Sequence, residues 1–274
     1  MGDWTPPEKR FSSLGRRLLT AAVLIPVGLG VVWEGGWWLS IACGVFAAVM
    51  AWEWSNMCAH PRAVFVYTTS AAFCVLLPLH LPWLLAFLAL AGIVFTYFTA
   101  RGSCQDKSAT VAGWLYVTGM AAGLWLLREG PWDGRAAALY FMSFVWASDA
   151  AAYFVGRGFG GPRLLPQESP NKTWSGAAGA ILITCICGFA ASDVEQVSVG
   201  VWMVWAAALS VVAQLGDLLE SGLKRRYHVK DSSGLLPGHG GVLDRVDGLG
   251  AVAVVGSLLL LLFPALRTAL GLAQ

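Results

Sequence analysis

Apolar runs long enough to cross a bilayer follow one another along almost the whole chain, and they leave few folds open. A hydrocarbon core of about 30 Å is crossed by roughly 20 residues of helix. Runs near that length occupy 18–33, 37–53, 64–79, 83–99, 110–127, 136–155, 175–191, 199–218 and 249–266. One short run, such as 64–79, would also fit a buried helix of a soluble core. About nine in succession, joined by short polar links, do not. Backbone groups in lipid must be satisfied internally, and the alternation of a membrane barrel is missing, so the spans must be helices. The chain therefore reads as an all-α, polytopic integral membrane helical bundle of about nine transmembrane helices, one domain over 1–274. Residues 1–135 supply membrane helices. Residues 136–274 carry the polar loops, 156–174 and 219–248.

Lys and Arg favour cytoplasmic loops. With the N-terminus cytoplasmic, fifteen of the 18 basic residues fall inside, and only Arg128, Arg135 and Arg267 outside. Both long loops then share the inner side, and the C-terminus lies outside. The expected location is the inner (cytoplasmic) membrane, multi-pass. The first run ends in Trp33-Glu34-Gly35-Gly36-Trp37-Trp38 rather than a small-residue cleavage site, so it is expected to stay as an anchor. Tryptophans near span ends (Trp33, Trp37, Trp52, Trp54, Trp83, Trp132, Trp174) fit an interfacial belt. The six cysteines show no zinc-like spacing and read as packing residues. A basic inner face suits anionic headgroups or a nucleotide, and no nucleic-acid partner is expected.

Only 12% of the residues are charged, so where they gather is informative. The densest stretch is Ser221–Asp247, which holds Lys224, Arg225, Arg226, Lys230, Asp231, Asp244, Arg245 and Asp247. Just before it comes Asp217, an acid at the end of a span. A carboxylate there is disfavoured by the negative end of the helix unless it has a partner. Extending the eighth helix would align Asp217, Ser221, Lys224 and His228 in one stripe. Gly238, Gly240 and Gly241 around His239 allow left-handed turns whose consecutive amides form an anion nest. Asp244 and Asp247, three residues apart, can face one ion if helical. Hard oxygen donors beside cations point to magnesium and a nucleotide.

The other long loop supplies a complement. Asp149, Tyr153 and Gly156 share a helical face, expected to point into the bundle because an unpaired acid is costly in lipid. Arg157 follows in a glycine-rich turn. Ser169, Lys172 and Thr173 then offer hydroxyl and ammonium donors to a phosphate near the start of the seventh helix.

The run Ser221–Asp247 resembles the signature of the phosphatidate cytidylyltransferases, or CDP-diacylglycerol synthases. The resemblance rests on Ser221, Lys224-Arg225, Lys230-Asp231, His239-Gly240-Gly241, Asp244-Arg245 and Asp247, with Gly156-Arg157 and Ser169-Pro170-x-Lys172-Thr173 upstream. It implies transfer of a cytidylyl group from CTP to phosphatidate, with Asp217 and Asp244 on Mg2+ and a second, K+ site. Asp217, Asp244, Lys224, Arg225 and Asp247 would be catalytic. Asp149, Arg157, Ser169, Lys172, Thr173, Ser221, Lys230, Asp231, His239, Gly240, Gly241 and Arg245 would bind substrate, and a homodimer is implied. Ser175 departs from the pattern, standing where the family commonly has an acid, and is left out of the site. A CTP-dependent polyprenol kinase would share the acids, cations and magnesium. A transporter would share buried acids but not a one-sided polar cluster.

Overall fold

Each apolar run becomes helical. In the computed structural model, which describes residues 7–58, 64–99, 107–236 and 240–273, α1 is Pro7–Glu34, α2 Gly36–Met57, α3 Val64–Val75, α4 Pro82–Thr99 and α5 Lys107–Glu129. After these come α6 (Gly134–Phe159), α7 (Trp174–Glu195), α8 (Val199–Arg226), α9 (Leu243–Leu262) and α10 (Pro264–Ala269). Among the described residues, α2 and α5–α9 are long and apolar enough to cross a membrane. Shorter apolar helical stretches lie at 22–34, 66–79 and 82–98. The outer surface carries large apolar side chains, Trp83 at 68%, Val204 at 72% and Leu262 at 67% exposure. Apolar surface of this extent calls for lipid rather than water.

Several boundaries differ from expectation. The run 249–266 is broken at Phe263, because Pro264 has no N–H to continue the ladder and instead opens α10. Helix α9 begins at Leu243, so Asp244 and Asp247 sit within its first two turns rather than in a loop. Helix α8 runs on to Arg226 and stops when His228 turns left-handed (φ 58°), its N–H donating to Arg225 O and that of Val229 to Lys224 O. The other loop is not purely irregular. It folds into an antiparallel hairpin, β1 (Arg163–Leu165) with β2 (Ser169–Thr173), a small exception to an all-helical chain.

Two buried clusters hold the helices together. One joins α2, α3 and α5 through Met50, Trp54, Val66, Trp114 and Met120, and reaches Val242 and Leu243 at the start of α9. The other joins α6, α8 and α9 through Phe141, Phe144, Trp202, Leu209, Val252 and Leu260. Helix α9 belongs to both and ties the halves of the chain together. Its approach to α8 requires Gly216, where a Cβ would come 2.5 Å from the Ala251 Cβ and 2.9 Å from Asp247 O.

The tryptophans divide. Trp33, Trp37, Trp52, Trp83 and Trp174 are exposed, whereas Trp54 and Trp132 are buried and pack inside. Trp132 donates to Leu127 O and lies under the Arg267 guanidinium. At this same end Arg128 donates to Val32 O and Trp33 O, and Arg267 to Leu260 O, Leu261 O and Pro131 O. Both arginines thus satisfy the open carbonyls that finish α1 and α9.

Candidate active site

At the opposite end of the bundle, α8 and α9 bring acids and bases together. Lys224 Nζ lies 2.9 Å from Glu220 Oε2 and 2.8 Å from Asp244 Oδ1. The three side chains are 13%, 2% and 4% exposed, which makes this a buried chain of charges. Lys224 offsets both acids, but unequally: Asp244 accepts hydrogen bonds, whereas neither buried Glu220 oxygen accepts one among the described residues. Asp244 is further held by Ser232 N (3.1 and 3.0 Å to its two oxygens) and Gly241 N (2.8 Å). Asp217 stands apart at 37% exposure, paired with Lys172 Nζ at 2.5 Å and accepting from Ser221 Oγ at 3.4 Å. The expected four-residue stripe is therefore only partly formed. Lys224 turns away from Asp217 toward Glu220 and Asp244, and His228 has left the helix.

The glycine-rich turn is a nest, but its anions are the protein's own. Gly241 N donates to Asp244, while Val242 N and Leu243 N donate to Glu53 Oε1 and Oε2, each at 2.8 Å. Gly240 adopts φ 80°, the left-handed turn expected of it. Gly241 has another reason to lack a side chain, since a Cβ would overlap Ser232 Oγ and come 2.5 Å from Glu53 Oε1. His239 and Gly238 lie outside the described residues.

From the hairpin, Lys172 reaches α8 through Asp217, and Arg225 of α8 reaches back to Glu168 O at 3.4 Å and to Val229 O at 3.2 Å. Thr173 is the N-cap of α7, its hydroxyl accepting from Gly176 N at 3.1 Å. Ser175 donates to Gly160 O and so links the end of α6 to the start of α7. Ser169, at the start of β2, is half-buried.

The expectation on α6 is met in part, since Gly156 packs against Thr173 and Gly176 while the polar side chains of that face stay open. The inward face is Phe141, Phe144, Val145, Ser148 and Ala151, with Ser148 Oγ 2.9 Å from Ser210 Oγ. Asp149 and Tyr153 are exposed instead. Asp149 nevertheless lies in the field of Asp217, Lys172 and Arg245, and Asp247 in that of Asp217, Asp149 and Glu220. Asp247 also accepts from Gly248 N at 2.8 Å.

The structure thus gathers Asp149, Lys172, Asp217, Ser221, Lys224, Asp244, Arg245 and Asp247. It leaves Arg157 on the surface beside the Tyr153 hydroxyl (3.4 Å), and Lys230 and Asp231 exposed on the loop. Sequence reasoning missed Glu53, Glu220 and Tyr116, whose hydroxyl lies in the field of Glu220, Asp247 and Asp217. The spacing of Glu220 four residues before Lys224 was a readable signal. Glu53 and Tyr116 gave none.

Carboxylates and cations alternate at one end of a multi-pass helical bundle, and such a charged site suits a membrane-embedded enzyme that handles phosphorylated substrates. More specifically, the chain belongs to the cytidylyltransferase family, whose model matches residues 15–263. It is similar to the phosphatidate cytidylyltransferase of Brucella suis, 38% identical over 251 residues, covering 89% of this chain and 92% of that one. The enzyme of that name from Pseudomonas aeruginosa is 33% identical over 264 residues, covering 90% and 97%. The one from Staphylococcus aureus is 32% identical over 258 residues, covering 89% and 98%.

Proposed function

We propose that this protein transfers the cytidylyl group of CTP to phosphatidate, forming CDP-diacylglycerol and pyrophosphate. The observation that carries the reading is the polar cluster on α8, α9 and the β1–β2 hairpin. It is suited to phosphate and lies within the region matched to relatives bearing that activity in their name. A phosphate monoester oxygen of the lipid attacks the α-phosphorus of CTP. The α–β anhydride bond breaks and pyrophosphate leaves with the electron pair. The lipid brings its own nucleophile, so the chain's task is to neutralise and align two polyanions. Lys172 and Arg245 stand beside Asp149 and Asp217 where incoming phosphates can replace carboxylates as their partners. Arg157, Arg225, Lys230 and Asp231 are exposed, and with Ser169 and Thr173 of the hairpin they would contribute to phosphate binding.

Magnesium is usually held by one or two carboxylates together with substrate phosphates and water. Asp217, partly exposed and engaged by a single lysine and a weak hydroxyl contact, fits that role. Asp244 fits it only on releasing a donor, because Lys224, Ser232 N and Gly241 N already occupy its oxygens. Lys224 is the donor that a nucleotide phosphate would draw away. The ion would offset the charge of the leaving pyrophosphate. A K+ site and a homodimer are proposed on the resemblance alone.

The deciding experiment supplies the purified protein with magnesium, phosphatidate and CTP labelled on the α- or the γ-phosphate. Label at α enters the lipid and label at γ leaves as pyrophosphate. A lipid kinase breaks the β–γ bond, so γ-label on the lipid, or no lipid labelling with any divalent ion, would overturn the reading.

We further place the protein in the cytoplasmic membrane with about nine spans, the N-terminus and the 160–173 and 227–242 loops facing the cytoplasm. Support comes from the uneven distribution of Lys and Arg, and from the way loops assigned to one side meet at one end of the bundle, as Glu53 meets Ser233 and Val242. In a cysteine-free background, an impermeant maleimide applied to intact cells should label a thiol at Asp193 and miss one at Lys230. The opposite pattern refutes the orientation.

A further inference from the structure

Glu53, near the end of α2, is wholly buried, yet nothing in the reaction just described uses it. Its oxygens are all spoken for: Oε1 accepts from Val242 N at 2.8 Å and Ser233 Oγ at 2.6 Å, and Oε2 from Leu243 N at 2.8 Å. A carboxylate stays buried only where donors or positive charge compensate it. Here the compensation is the positive end of a 20-residue helix, α9. That helix lacks a local cap, since Val242 at its N-cap offers no side-chain acceptor. The missing cap arrives from a different helix, in the other half of the chain.

Glu53 and Asp244 hold the same strip of backbone from two sides. Ser232 N and Gly241 N bind Asp244, whereas Ser233 Oγ, Val242 N and Leu243 N bind Glu53. Asp244 follows Leu243 directly, so whatever fixes Leu243 N fixes where Asp244 meets Lys224. We infer that Glu53 is a positioning residue for the cytidylyl transfer proposed above, clamping Ser233, Val242 and the start of α9 so that Asp244 and Lys224 keep their register. It deepens that reading and rests on it. Being wholly buried with its acceptors occupied, Glu53 acts through the loop and not on substrate.

Isosteric replacement separates a clamp from a space-filling residue. Glu53→Gln preserves volume but turns one acceptor into a donor facing the N–H of Leu243 or Val242. Glu53→Ala removes both acceptors, and Ser233→Ala removes one of the three donors to Glu53 together with the acceptor for Leu235 N. In full-length purified protein, kcat should fall roughly 10-fold in Glu53→Gln and roughly 100-fold in Glu53→Ala, from the loss of charged hydrogen bonds. The KM for CTP should change much less. Without any substrate, tryptic cleavage after Lys230 should accelerate in the order wild type, Ser233→Ala, Glu53→Gln, Glu53→Ala. Should Glu53→Ala not fold, Ser233→Ala and Glu53→Gln decide the matter. Wild-type kcat and wild-type protection in Glu53→Gln overturn the inference. Protection needs no turnover, so an inactive wild type refutes the proposed reaction while the protease pattern still tests the clamp.

Discussion

Replacing Asp217 by Asn is expected to reduce cytidylyl transfer by about 1,000-fold or more while leaving the protein folded. Electrostatic stabilisation is usually the largest catalytic contribution, and loss of a single well-placed group costs factors of about 100–1,000. Here the same side chain would receive the metal and hold Lys172 in place. Folding should survive because Asp217 is over a third exposed and its contacts are one lysine and one distant hydroxyl. Asp244→Asn should be as inactive but should also melt earlier, since its buried carboxylate restrains Lys224, Ser232 N and Gly241 N together. Magnesium-dependent transfer by Asp217→Asn at near wild-type rate, with α-labelled CTP as the probe, would remove Asp217 from the centre of the site.

Lys224→Met should be the most destabilising single change in the site. It leaves Glu220 and Asp244 facing one another almost without solvent, at 2% and 4% exposure. Breaking a buried pair by deleting one partner costs about 3–5 kcal/mol, which for a chain of this size lowers the melting midpoint by roughly 10 °C. Adding Glu220→Gln should recover part of that loss, because it replaces a buried acid beside Asp244 with a neutral amide that can donate to it. The double variant should remain inactive, because the ammonium that would move from Asp244 to the nucleotide phosphate is still missing. Differential scanning fluorimetry of the detergent-purified single and double variants provides the measurement. A single variant that melts within a degree of wild type would show that the charge chain contributes little.

The helices and the polar end of the bundle were legible because the bilayer imposes length and composition on every span. Asp217, Lys224, Asp244 and Asp247 stood out for the same reason, being charged where charge is rare. Their partnerships were not legible. A helical stripe drawn through Asp217, Ser221 and Lys224 passes over Glu220, although the i,i+4 pair was present in the sequence. Glu53 lies between Trp52 and Trp54 at a span end, where a lone acid looks like an interfacial residue. Its partners are backbone amides 189 and 190 residues later, and amides leave no mark in a sequence. The hairpin escaped notice because strands of three and five residues are too short to show alternation. The rule that an acid in a span must be paired correctly points Asp149 toward the charged groups of the site, but it does not say how open that place is. The solution here is Ser148 inside, bonded to Ser210, with Asp149 at the polar opening.

The span of chain between Glu53 and its donors also bears on biogenesis. Helix α2 enters the membrane early in synthesis, but residues 242 and 243 emerge only after some 190 further residues have been added. At translation rates of about 5–20 residues per second, that interval is roughly 10–40 s. Throughout it the carboxylate has none of its final donors, and it must rest in headgroup water or borrow protection from the insertion machinery. Closure of the bundle therefore coincides with arrival of the last long helix. A chain halted before α9 would keep Glu53 without the backbone donors that hold it in the finished protein.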